Sequence, residues 1–165
     1  MTFNFEKLPQ NADELRARPE AGMKDPFAVA ALAITALCVY PKDRKASIEM
    51  LNALKGPAKL SPMDEQFIRD RFMDKDYVPR SYFKGAVPGN NYAPDLPYTI
   101  EVQESAHSRD QEKEGYLVLY LQSGGADSPR PLKLRTKPST GEWFLWEFAS
   151  ILASIRIPVA EDAWA

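Results

Sequence analysis

The run Phe27 to Tyr40, FAVAALAITALCVY, has one clearly polar member, Thr35, and it constrains the chain more than any other segment. Asp25-Pro26 stands before it, an acceptor for free N–H groups followed by a residue that loses no bond at the first helical position. Pro41 closes it. Crossing a bilayer takes roughly twenty apolar residues, so the run is too short to span and reads as a core helix buried on all sides. No membrane partner is expected. The opening MTFNFEKLPQ lacks the basic stretch and long apolar run of a secretory signal, and a cytoplasmic location is expected. Cys38 lies inside the run, where a thiol is inert packing with a raised pKa.

Around this spine the first half reads helical. Asn11 and Glu14 form a capping-box variant opening a short, weak helix through about Arg18. Ile48, Leu51 and Leu54 recur at helical spacing and stop at Gly56, a left-handed C-cap followed by Pro57. Ser61-Pro62 opens another helix, with Met63, Phe67, Ile68 and Phe72 on one stripe.

Residues 77–97 break the pattern with four prolines and two glycines, yet Tyr77, Tyr82, Phe83 and Tyr92 are too aromatic for a disordered linker. The stretch reads as an ordered connector with its rings pinned on the surface. From Tyr98 the period becomes two. Tyr98–Gln103 is half-buried, YLVLYL (116–121) is apolar on both faces and so central, 132–137 is one-sided, and Trp143–Phe148 is the last strand. Short turns favour antiparallel pairing. Phe148, Ile151, Leu152 and Ile155 suggest a short closing helix. The expectation is one α+β domain over 1–165: a helical half (1–76) of three to four helices, the connector (77–97), and a β half with a C-terminal tail (98–165). The helices would form a layer on an antiparallel sheet of about four strands.

Composition excludes more than it identifies. Twenty-one basic against 23 acidic residues give a net charge of −2, which argues against a nucleic-acid partner. One Cys and one His leave no zinc site of those residues within the chain. No metal and no cofactor are expected.

The turn Ser123-Gly124-Gly125-Ala126-Asp127-Ser128 with Arg130 could turn N–H groups to an anion, but it leads into a strand where a phosphate loop opens a helix. Plain strand connection is the leading reading. Lys133, Arg135 and Lys137 share a strand face, either as a basic stripe for an acidic partner or, the leading reading, as edge protection. Ser81-x-x-Lys84 has acyl-transfer spacing without its companion motifs or helical setting. His107 sits in a charged loop, with nothing to suggest the buried carboxylate a triad needs. Glu147, between Trp146 and Phe148, reads as the exposed position of an alternating strand. Tyr82, Phe83, Tyr92, Trp143 and Trp146 exceed what a single helical layer needs, and aromatics with arginine make hot spots. Trp164 either docks on its own domain or meets a partner.

LNALKGPAKLSP, YVPRSYFKGAVPGNNY, SGGADSPRPLKLR, GEWFLWEF and AEDAWA resemble, in that order, a bacterial domain of unknown function common in Firmicutes. The resemblance runs from about Phe27 to Trp164. It implies a small bacterial protein or module and carries over no activity, cofactor or functional residue.

The sequence does not disclose a biochemical activity. The leading reading is a non-enzymatic binding or protein-interaction module, touching its partner through the connector (Arg80, Tyr82, Asn90, Asn91, Tyr92) and the GGADSPR turn (Asp127, Arg130), because loops on a rigid scaffold concentrate binding residues. The alternatives are a small hydrolase-like or transferase-like enzyme using carboxylates or Ser81 and Lys84, and an inhibitor- or immunity-type partner of another protein.

Overall fold

Asp25 caps the apolar run as expected: its side chain accepts the Phe27 N–H at 2.9 Å, and α2 runs Pro26–Val39. In the computed structural model, which describes residues 1–165, every residue from Ala28 to Leu37 is buried. The single polar side chain, Thr35, returns its hydroxyl to the Leu32 carbonyl one turn back at 2.7 Å, so nothing polar in the helix is left open. No helix is long and apolar enough to cross a membrane.

A helix apolar all round needs neighbours all round. α3 (Arg44–Lys55) supplies one side: Ser47 donates to the Ala36 carbonyl at 2.7 Å, and Met50, Leu51 and Leu54 are buried. α3 ends at Gly56, whose φ of 60° suits glycine. A Cβ there would also sit 2.4 Å from the Phe144 ring. α1 (Ala12–Arg16) carries the Asn11 cap on the Glu14 N–H, and α4 (Pro62–Phe72) carries a reciprocal Ser61–Asp64 capping box. Ile68 and Phe72 of the α4 stripe are buried and Phe67 half-buried, but Met63 is exposed.

The sheet has five strands, not four: β1 (Thr2–Phe5), β2 (Tyr98–Gln103), β3 (Tyr116–Leu121), β4 (Arg130–Lys137) and β5 (Glu142–Glu147), in that spatial order and antiparallel throughout. The extra strand lies in the half expected to be helical. Phe3 and Phe5 alternate over too few residues to stand out, and β1 exists because β2 pairs with it from Thr2↔Glu101 to Phe5↔Tyr98. β2 meets β3 only at Val102↔Leu121 and Gln103↔Tyr120. Nearer its start the connector takes over, Lys84 N–H donating to the Thr99 carbonyl at 2.9 Å. β3 is central, as expected, with Leu117, Leu119 and Leu121 inward and Tyr116, Val118 and Tyr120 half-exposed. The expected closing helix is a single 3-10 turn, Ala149–Leu152.

α2 contacts β2, β3, β4 and β5, and α3 contacts β5, whereas α1 meets chiefly α3, and α4 the Ala149–Leu152 turn. The segment before α2 serves both sheet edges: Met23 accepts the Trp143 N–H of β5 at 2.7 Å and lines a small cleft of about 310 Å³ with Phe3 of β1. One cluster of 38 buried residues joins α2, α3, the connector and the sheet.

Candidate binding face

The aromatic rings of the connector are interior, not surface features. Tyr82 and Tyr92 are 3% and 0% exposed, and Phe83 is buried with them. The Tyr82 hydroxyl donates to Ile151 O at 2.5 Å, and the Tyr92 hydroxyl donates to Arg156 O. Burial raises both phenols above the ordinary tyrosine range. Arg80 donates to the carbonyls of Tyr92 (3.4 Å) and Asn91 (3.3 Å). The Asn90 amide donates to Gly85 O and Ala93 O and accepts the N–H groups of Val87 and Ala93. Asn90 and Asn91 are exposed; Arg80 and Asn90 brace the connector internally, and the two tyrosine hydroxyls fasten it to the C-terminal segment.

The glycine turn is a strand connection, as the leading reading held. Gly124 N–H donates to Ser81 O at 2.8 Å and Gly125 N–H to Ser123 Oγ at 3.0 Å, so the N–H groups an anion would need are spent. Arg130 donates to Ala153 O and Ser154 O, and Asp127 accepts from Arg156 at 2.8 Å. Ser81, 1% exposed, donates to Val78 O and accepts from Ser123, each at 2.6 Å, while Lys84 is exposed. The Ser81 hydroxyl proton is committed to a main-chain carbonyl, and its one side-chain partner is another hydroxyl. His107 lies on the exposed loop, its Nδ1 3.0 Å from Asp110.

The basic stripe changes meaning. β4 lies between β3 and β5, so its cations do not guard an edge. Leu132 and Leu134 point inward, leaving Lys133, Arg135 and Lys137 on the opposite face. There Lys133 Nζ sits 4.8 Å from the Tyr116 ring centre, and the Arg135 guanidinium lies 5.6 Å from Tyr116 and 4.7 Å from Trp146. The two rings are tilted against each other at 6.0 Å. A register shift between Lys133 and Leu134 leaves Trp146 as the extra residue of β5, and a bulge of this kind re-aims a side chain. Trp143, by contrast, packs against the core.

Beside this face lies a cleft of about 370 Å³, floored by Val118, Pro131, Lys133 and Trp146 and walled by Lys55, Asp64, Phe67 and the segment Glu147–Ser150. Lys55, the last residue of α3, is 7% exposed. Its ammonium donates to the Trp146 carbonyl at 3.1 Å and lies 5.9 Å and 6.0 Å from the Trp146 and Phe148 rings. Burial draws it below the ordinary lysine range, against the opposing charges of Asp64 and Glu147. None of the chain's ion pairs includes Lys55, Lys133 or Arg135. Glu147 is exposed, as expected, but through the bulge and not through simple alternation: two residues after the inward Leu145, it stands opposite Lys133 on the outer face. Sequence reasoning found the β4 stripe and Trp146 but not Tyr116, Lys55 or Asp64 as neighbours. Lys55 is the last residue of an amphipathic helix, and nothing local marks it.

A family model described as a domain of unknown function (DUF6935) matches residues 7–159. No curated protein and no solved structure matches the chain.

Proposed function

We propose that the chain, which belongs to the DUF6935 family of domains of unknown function, is a non-enzymatic protein-interaction module that grips an acidic segment of a partner on the outer face of β3, β4 and β5. One observation carries the reading: Lys133 and Arg135 stand on an interior strand, over aromatic rings and outside any ion pair. Tryptophan, tyrosine and arginine are the residues that dominate contact energies. The rings hold the cationic stems in place, so less side-chain freedom is lost when a carboxylate arrives. α2 would be the spine on which the sheet and the helices are seated, keeping the face rigid. Asn90, Asn91, Asp127 and the other connector and turn residues would flank the contact or shape its surroundings. A reducing cytoplasm suits the chain, whose lone cysteine, Cys38, is a free thiol pushed up to about 12 by burial. If the partner is an enzyme silenced on binding, the module is an inhibitor.

The test is calorimetric titration with a hexaglutamate peptide at low and high salt. Wild type is expected to bind, more weakly as salt screens the contact. Arg135→Glu is expected to lose binding, and Trp146→Ala to weaken it about tenfold or more. Unchanged isotherms for both variants would contradict the reading.

A further inference from the structure

A second concave site shares no residue with the cleft beside β4. About 420 Å³ in volume, it is lined by Asp74, Asp76, Tyr77, Arg80, Asn91 and Glu161. Its walls come from three places: the segment leaving α4, the connector, and the 3-10 turn Val159–Glu161, which packs on the turn Pro88–Asn90. Three carboxylates and one guanidinium line the site, and that guanidinium is spent on the carbonyls of Asn91 and Tyr92. None of the three carboxylates takes part in an ion pair.

Tyr77 makes this more than an acidic cluster. It is 4% exposed and stacks on Tyr92 with ring centres 5.3 Å apart and planes 8° from parallel. Its hydroxyl is the one buried side-chain nitrogen or oxygen in the chain without a hydrogen-bond partner. Leaving such a group unpaired is costly, and native chains rarely do so. Asp74, Asn91 and Tyr92 also hold positive φ angles of 58°, 56° and 54°, a conformation non-glycine residues seldom adopt. The nearby charge of Glu161, added to burial, raises the phenol and keeps it a neutral O–H.

We propose that this cleft binds an organic cation bearing several N–H donors, an alkylammonium or guanidinium group, which bonds Tyr77 Oη and is held by Asp74, Asp76 and Glu161. A metal ion is the poorer fit: Asp74, Asp76 and Glu161 do not group tightly enough to ligate a single ion, whereas an extended organic cation can span them. The cation could come from a free amine or from a basic side chain of another protein.

Calorimetric titration of the full chain with agmatine, which carries both groups, and with a capped Gly-Arg-Gly tripeptide separates these sources. At least one probe is expected to bind saturably, the tighter one identifying the source. Tyr77→Phe is expected to weaken it about threefold or more, one hydrogen bond's worth, and Glu161→Gln by a similar factor. Because Tyr77→Phe also removes an unpartnered buried hydroxyl, its thermal midpoint is expected to rise, so its loss of affinity cannot be misfolding. Failure of both probes up to about 10 mM, or equal affinity in wild type and both variants, would overturn the proposal. So would magnesium chloride binding with the same dependence on Glu161, or a Tyr77→Phe midpoint that falls.

Discussion

The outer face of β4 and the acidic cleft at the connector are opposites in charge and in construction. On the face, Lys133 and Arg135 belong to one strand and their rings to its two neighbours, so three paired backbones fix every distance. In the cleft, Asp74, Asp76, Tyr77 and Glu161 come from segments with no common ladder, joined by single contacts such as the Tyr92 hydroxyl to the Arg156 carbonyl. A sheet face inherits its geometry from a repeating pattern. A cleft of this kind inherits it from a few close approaches, and should be far easier to break.

Gly124 offers the hardest break. A Cβ there would meet the Ala86 carbonyl oxygen at 1.9 Å, with the main chain already tied to Ser81. Gly124→Ala is expected to cost about 3 kcal/mol or more, read from the urea midpoint. Hydrogen exchange should rise in the connector before it rises in β4 and β5; uniform exposure would erase the contrast. Trp146→Ala comes next, with the opposite signature. It is expected to cost hexaglutamate binding about 2 kcal/mol while agmatine binding, measured in parallel, stays at the wild-type value.

Alkaline pH separates the regions by sign. The Tyr77 and Tyr92 phenols are raised above their ordinary value of 10.0 by burial, so the folded chain keeps protons that the unfolded chain releases. Their contribution is complete below pH 10 and is lost above it. Lys55 is lowered from 10.5. The unfolded chain then holds a proton the folded chain has released, and stability gains as pH climbs through the window that ends at 10.5. Chemical unfolding across the alkaline range should therefore show a steeper loss in Lys55→Met and a shallower one in Tyr77→Phe. Matching slopes would show that neither group senses its surroundings. The smallest effect is expected at Lys137, exposed at the end of β4. Lys137→Ala should change stability by less than about 0.5 kcal/mol.

The same contrast explains what could be read from the sequence. Asp25-Pro26, Gly56 and Ser61-Pro62 act through their immediate neighbours, and the helix bounds follow from them. The stripe at Lys133, Arg135 and Lys137 was legible for the same reason, since period two puts alternate residues on one face. Its meaning was not, because only the neighbours show that β4 lies inside the sheet, and edge protection was the natural inference. β1 stayed hidden because Phe3 and Phe5 become a strand only on pairing with residues about a hundred positions away. The connector rings were misplaced outward: prolines and glycines mark irregular backbone but say nothing about burial, and Tyr82 and Tyr92 pack beneath the C-terminal segment. Tyr77 with Glu161 had no local signature at all.

The most direct test is chemical-shift mapping of the isotopically labelled chain titrated with hexaglutamate. Shifts concentrated in the amides of β4 and β5 and in the Trp146 indole, fading as salt rises, are expected if this face is the contact surface. Shifts confined to the connector and the Ser123–Ser128 turn, with β4 and β5 silent, would contradict it.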